Sequence, residues 1–152
     1  MKYWLLAWNP NRHKWNDLNG GFADLKNRLK QVGKIYEPWS TGVNTSIKEG
    51  DRVFLIRLGD EKKGIIASGY AATDVFTNPH WELERALKGE RSRHIYVKYD
   101  KMVFIEDSPL PMSVLKALAP NFHWSTQSSG ISIPEDVAIK LEALWNIPVA
   151  SN

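Results

Sequence analysis

Two apolar runs joined by a short polar link constrain this chain more than any other stretch. Arg52 to Leu58 is almost wholly apolar, Asp60-Glu61-Lys62-Lys63-Gly64 is charged and closes on glycine, and Gly64 to Phe76 is again extended in character. A link this short can join only neighbouring antiparallel strands, because a parallel crossover needs a dozen residues or more. The tight turn Gly50-Asp51 starts the first of these strands. The second carries Ala67-Ser68-Gly69, where missing bulk lets another backbone or a ligand approach closely. A buried hairpin of this kind demands further strands on its edges and helices on its faces.

The remaining sequence supplies them. Tyr3 to Trp8 reads as a buried first strand ended by the turn residues Asn9-Pro10-Asn11. Phe22, Leu25, Leu29 and Val32 recur at helical spacing with Lys26, Arg28 and Lys30 between them, and Gly33 stops that helix. Ile35 to Trp39 is a short strand, and Trp39-Ser40-Thr41-Gly42 a loop beyond it. His80 to Leu87 suggests a short helix after Pro79, and Lys88 to Arg93 a charged loop. His94 to Ile105 alternates as a strand, and Pro111 to Leu118 reads as a short helix closed by Pro120. Ser132-Ile133-Pro134-Glu135 has the spacing of a capping box. It would open a last helix with Val137, Ala138, Leu141, Leu144 and Trp145 inward. Five or six strands, short and turn-linked, with few βαβ units, predict an α+β fold: a curved mixed sheet or open barrel with helices around it.

With 152 residues, 43% hydrophobic and 24% charged, the chain suits a single domain spanning 1–152. No apolar run approaches the length of a membrane span. The apolar start is short, contains Trp4 and Trp8, and meets Asn9-Pro10 without a cleavage site, so no signal peptide and a cytoplasmic location are expected. The absence of cysteine excludes disulfides, thiolate metal sites and a cysteine nucleophile. His13, His80, His94 and His123 show no metal-ligand spacing, no glycine-rich phosphate loop is present, and no carboxylate pair or Ser-His-Asp order stands out. We therefore expect no enzyme activity, no cofactor and no metal. The charge is uneven: residues 1–104 hold 18 Lys/Arg against 12 Asp/Glu, and residues 105–152 hold 2 against 5. A basic front with an acidic tail is compatible with a polyanionic partner, and equally with a merely solvated surface.

Seven tryptophans are several times ordinary usage. Trp4 and Trp145 lie on apolar elements and read as core. Trp8, Trp39 and Trp124 each precede small polar residues: Asn9, Ser40-Thr41, and Ser125-Thr126-Gln127-Ser128-Ser129-Gly130. An indole at a strand end beside hydroxyl and amide groups suits a pocket that sandwiches a planar ligand, though the same residues also serve as caps of strand ends. Arg12 and Lys14 near Trp8, with Arg91, Arg93 and Lys98, give the mixture of cations and aromatics that suits nucleic acid.

In order, Tyr3-Trp4-Leu5, Trp39-Ser40-Thr41, Gly50-Asp51-Arg52-Val53, Gly64-Ile65-Ile66-Ala67-Ser68-Gly69, Trp124 to Ile131 and Leu141-Glu142-Ala143-Leu144-Trp145 resemble the EVE domains of the PUA-like superfamily, relatives of the YTH and ASCH domains. The end of the chain looks like the EVE domains that precede HNH nuclease domains in modification-dependent restriction enzymes. No HNH motif follows Trp145, so cleavage by this chain is not expected. The resemblance implies a PUA-like curved sheet with an aromatic cage for a modified base. Trp39-Ser40 matches the Trp-Ser wall of YTH readers. Trp8-Asn9 falls where related domains make polar contacts to the base, and Trp124 with Gln127, Ser128 and Ser129 would form the opposite wall.

The expected function is recognition of double-stranded DNA carrying 5-methylcytosine or 5-hydroxymethylcytosine, with the base flipped into the cage. Trp39 and Trp124 would stack on the base. Ser40, Asn9 and one of Gln127, Ser128 or Ser129 would read its edge, and Arg12, Lys14, Arg91 and Arg93 would hold phosphates. A nuclease in cis or in trans is the implied partner, and no membrane is. The competing expectations are a reader of modified RNA, a nucleoside or small-molecule binder or enzyme on the same fold, and a protein-interaction domain whose tryptophans are core.

Overall fold

The computed structural model describes residues 1–12, 15 and 21–147. Seven strands form one mixed sheet that curls without closing. They are β1 (Tyr3–Trp8), β2 (Ile35–Gly42), β3 (Arg52–Arg57), β4 (Gly64–Ala71), β5 (Phe76–Pro79), β6 (Arg91–Met102) and β7 (Ile131–Ile133). The spatial order is β2-β6-β4-β3-β1-β7, with β5 beside the first half of β6. Only β1 and β3 run parallel; the other pairs are antiparallel. The helices are α1 (Gly21–Val32), α2 (Leu83–Leu87), α3 (Met112–Leu118) and α4 (Glu135–Trp145).

Successive side chains on a strand face opposite ways, and here both faces are covered. On β1 and β3, Trp4, Leu6, Val53 and Leu55 point into a core shared with Leu25 and Leu29 of α1. Leu5, Phe54 and Ile56 point into a second core built with Leu115 of α3 and Leu141 and Trp145 of α4. Two-sided burial explains the continuous apolar run from Arg52 to Leu58.

The small residues of β4 make room for backbone. A Cβ on Gly69 would collide with the Lys98 carbonyl of β6 at a bulge between Ser68 and Gly69. The Ser68 hydroxyl donates 2.6 Å to Asp100 and accepts 2.8 Å from the Trp145 indole. Asp100 and Glu142 also hold the buried Arg52 guanidinium, at 2.8 and 3.1 Å. Asp51, read from sequence as a turn residue, accepts hydrogen bonds from the Trp4 indole (2.9 Å) and from the backbone N–H groups of Lys2 and Lys48. Burial works to raise its carboxyl, but these donors, the Trp4 indole first, hold it below the usual range.

Five expectations need correcting. Trp39 to Gly42 do not form a loop: they complete β2, because β6 pairs with them as far as Arg93. The sheet has seven strands, because three-residue β7 lies within a loop-like serine-rich stretch. The run from Gly64 to Phe76 is not one strand: it breaks after Ala71 and resumes as β5. Arg91 to Arg93 begin β6 rather than closing a loop, since β5 gives them partners. Ser132 lies in β7 facing β1, so it does not cap α4; the helix starts behind Pro134 with no side-chain cap.

Candidate functional site

The gap in the sheet lies between β2 and the free edge of β1 beyond β7, and the chain seals it with loops rather than with a ladder. Gly130 donates its N–H to the Leu5 carbonyl (2.9 Å). The Ser129 hydroxyl accepts the Ala7 N–H (3.1 Å), and the Trp39 indole donates to the Ala7 carbonyl (3.2 Å). The Asn44 amide spans the seam to the Gly130 carbonyl at 2.6 Å. Gly42 and Gly130 face each other here with φ of +63° and +83°. A Cβ on Gly42 would come within 2.8 Å of the Ser129 carbonyl oxygen, and one on Gly130 within 2.5 Å of that of Thr41. Both positions need glycine twice over, for conformation and for space.

Above this seam opens a cleft of about 830 Å³. Its aromatic wall joins three parts of the chain. Trp15 packs edge-on against Trp8 (centroids 5.3 Å apart) and tilted against Trp39 (4.7 Å), and Phe22 of α1 lies behind, 5.3 Å from Trp15. The Arg57 guanidinium sits 5.7 Å over the Trp8 ring. Across the cleft, Trp81 leads into α2 and is 39% exposed, far more open than Trp39 at 8%. The Trp39 indole is thus a floor and a brace, whereas the Trp81 ring, stacked on His80 at 5.2 Å, lines the cleft from a more exposed position.

Polar groups converge on the same space. The Ser40 hydroxyl accepts the Gly42 N–H (3.2 Å), and an accepting hydroxyl still has a proton to donate. The Ser129 hydroxyl is engaged by Ala7, and the Ser128 carbonyl accepts the Thr126 hydroxyl (2.9 Å). The Asn9 side-chain oxygen accepts the Asn11 N–H (2.9 Å), which sets the amide at the rim. Arg12 lies 3.8 Å from Glu82, an open pair between exposed side chains. His94 is buried, and burial lowers its pKa despite a contact with the Ser92 carbonyl; nearby His80 lowers it further, which favours the neutral ring.

The structure gathers Trp8, Asn9, Arg12, Trp39, Ser40, Gln127, Ser128 and Ser129 around one cleft. Trp124 is not among them. It is 2% exposed in the core beneath α3, 4.3 Å from Phe122, with its indole donating to the Ala119 carbonyl (3.1 Å). The apolar end of α3 just before it draws the ring to the opposite layer of the sheet. Arg91 and Arg93 do not line the cleft. They are exposed at the start of β6; Arg91 is tied to Thr77, and Arg93 is paired in register with Gly42 on the rim. Lys14 lies outside the described residues. Reading the sequence for sites missed Glu37, Trp15, Trp81 and His94 of the cleft. For Glu37 the signal was present: it stands two residues before Trp39 on one strand and so shares its face.

Among the described residues, no group of three or more His, Cys, Asp or Glu could hold a metal ion, and no helix is long and apolar enough to cross a membrane.

No protein-family profile and no curated protein matches the sequence. Solved structures do match in shape. Human THYN1, solved with DNA containing 5-methylcytosine, superposes with a TM-score of 0.64 at 14% identity, over 97% of this chain and 99% of that one. A hypothetical protein from Leishmania major gives 0.62 at 15% identity, over 94% and 93%. The YTH domain-containing protein mmi1, solved with RNA, gives 0.51 at 13% identity, over 95% and 81%. At such identities the likeness speaks for the fold, which is the α+β, PUA-like architecture that the resemblance implied.

Proposed function

We propose that this chain is a reader of modified nucleic acid that accepts a flipped base in the cleft at the sheet seam, with DNA containing 5-methylcytosine or 5-hydroxymethylcytosine as its target. The observation that carries the reading is a cleft walled by Trp8, Trp15, Trp39 and Trp81, with hydroxyl, amide and carboxyl groups on its inner surface. It belongs to a fold shared with a protein bound to such DNA.

The energetics are consistent with recognition of this kind. Extruding a base costs a few kcal/mol. Stacking returns about 1–3 kcal/mol per aromatic ring engaged, so two rings and one good hydrogen bond tip the balance. A methyl group buried against indole adds about 0.8 kcal/mol, roughly fourfold in affinity. Arg12 lines the cleft and Arg93 pairs in register with Gly42 on its rim, where phosphates would lie, with Arg91 two residues away at the start of β6. The role is binding without chemistry, so cleavage, where it follows, belongs to a nuclease supplied in cis or in trans.

Fluorescence anisotropy at fixed salt tests the reading, using matched duplexes with cytosine, 5-methylcytosine, 5-hydroxymethylcytosine or N6-methyladenine at one position. Tightening for one modification supports a reader and names its ligand. Equal, salt-sensitive binding to all four reduces the protein to a backbone binder. The likeness to mmi1 with RNA supports a second reading, modified RNA, which the same series in RNA would favour if it bound more tightly than DNA.

A further inference from the structure

Of the four inward positions of β2, Thr41 is buried with its hydroxyl donating to the Asn44 carbonyl (2.9 Å), and Ile35 and Trp39 pack in the core, while Tyr36 and Pro38 lie on the exposed face. The fourth is Glu37, the one charged residue among them, whose side chain is only 20% exposed and lines the cleft. Its compensation is thin. The Arg28 guanidinium, itself 46% exposed and shared with Asp24, stands 3.6 Å away. Burial raises the Glu37 carboxyl and Arg28 recovers only part of that rise. Nearby, the Tyr99 hydroxyl is fully buried with no hydrogen-bond partner among the described residues, and burial, then the charge on Glu37, push it up. Among the described residues, only the half-exposed Arg28 guanidinium compensates a carboxyl placed here, in line with Trp39.

Building on the base-pocket reading, we infer that Glu37 is the specificity-determining residue of the cleft and selects a base edge with an exocyclic amino group beside an acceptor ring nitrogen, as in cytosine. One carboxyl oxygen accepts the N4 amino proton. The other, carrying the proton that a low-dielectric site favours, donates to N3. Thymine presents the opposite pattern, an N3–H beside a carbonyl oxygen, to which a neutral acid could also turn; but cytosine N3, far more basic than that oxygen, shares the acid's proton and gains a charge-assisted contact that thymine does not. Since 5-methylcytosine and thymine share the C5 methyl group and ring size, only such an edge contact tells them apart.

The test compares single oligonucleotides bearing 5-methylcytosine, cytosine, thymine or guanine opposite an abasic site, so that base-pair strength does not enter. Wild type is expected to prefer 5-methylcytosine over thymine by roughly 5- to 150-fold, the discrimination of one bidentate contact. In Glu37→Gln the amide offers one acceptor and one donor and can turn to suit either base, so the ratio should collapse to about threefold or less. Arg28→Ala, outside the cleft, should keep the wild-type ratio, and thermal melts confirm that each variant folds. An unchanged ratio in Glu37→Gln overturns the inference, as does tightest binding to guanine, whose edge presents two donors. Wild type that separates 5-methylcytosine from cytosine but not from thymine overturns it while leaving the base pocket standing. No selectivity among the four bases overturns both.

Discussion

Replacing Gly130 with alanine tests whether the seam is as tight as its geometry implies. Two costs combine. At φ +83° an alanine pays the left-handed penalty of about 1–2 kcal/mol. Its Cβ would also lie 2.5 Å from the Thr41 carbonyl oxygen and 2.9 Å from the Asn44 Cβ. Relieving such a contact against backbone costs about 1–3 kcal/mol more. The total of roughly 2–5 kcal/mol lowers Tm by about 4–20 °C in a domain of this size, at 2–4 °C per kcal/mol. Gly33→Ala is the control, because Gly33 has φ +88° but nothing within 4 Å of a Cβ. It should show the conformational penalty alone, about 2–8 °C. Thermal melts of both variants by circular dichroism are the assay, with oligonucleotide affinity measured on the folded protein. A Gly130→Ala melt no lower than that of Gly33→Ala refutes the steric argument. A lower melt with intact affinity refutes the claim that the seam shapes the cleft.

Three further predictions follow from the same geometry. Trp81→Ala should weaken binding about tenfold with little change in Tm, whereas Trp39→Ala, at a buried indole, should cost about 3–5 kcal/mol of stability; equal losses of stability would show that both rings are core. Arg91→Ala and Arg93→Ala should each reduce the slope of log affinity against log salt by about 1 without changing base preference, and an unaltered slope removes that arginine from the phosphate path. Because Glu37 is raised in the folded state, the native protein holds its proton longer than the unfolded chain does. Its unfavourable contribution therefore grows as pH rises from the ordinary value of 4.5 through the raised one. Glu37→Gln should accordingly raise Tm at pH 7 and leave it unchanged near pH 3.5, and a lower Tm at pH 7 would mean that the Arg28 ion pair outweighs burial.

Much of the architecture could be read from local pattern. The hairpin of β3 and β4 follows from two apolar runs and a charged link, and α1 from Phe22, Leu25 and Leu29 with Gly33 behind them. Very short patterns failed: Ile131-Ser132-Ile133 alternates for only three residues, too few to stand out from a loop, and β5 takes its shape from its partner β6. The site divides the same way. Trp39-Ser40 at a strand end was visible as a position, but whether an indole faces the cleft or a core depends on the layer it meets. Trp124 and Trp39 look alike in sequence, yet α3 claims one and the seam the other. Trp81 follows a loop whose course only the pairing of β5 with β6 determines.

The bonds that seal the seam join residues far apart in the chain: Ala7 to Ser129 across 122 positions, Asn44 to Gly130 across 86 and Trp39 to Ala7 across 32. Such closures come late on a folding pathway, since their loop entropy is repaid only after intervening contacts have formed. No fragment or partly folded intermediate can then present the cleft, and a ligand held there slows unfolding rather than speeding folding. Binding competence would be the last property the chain acquires as it folds and the first it loses as it opens.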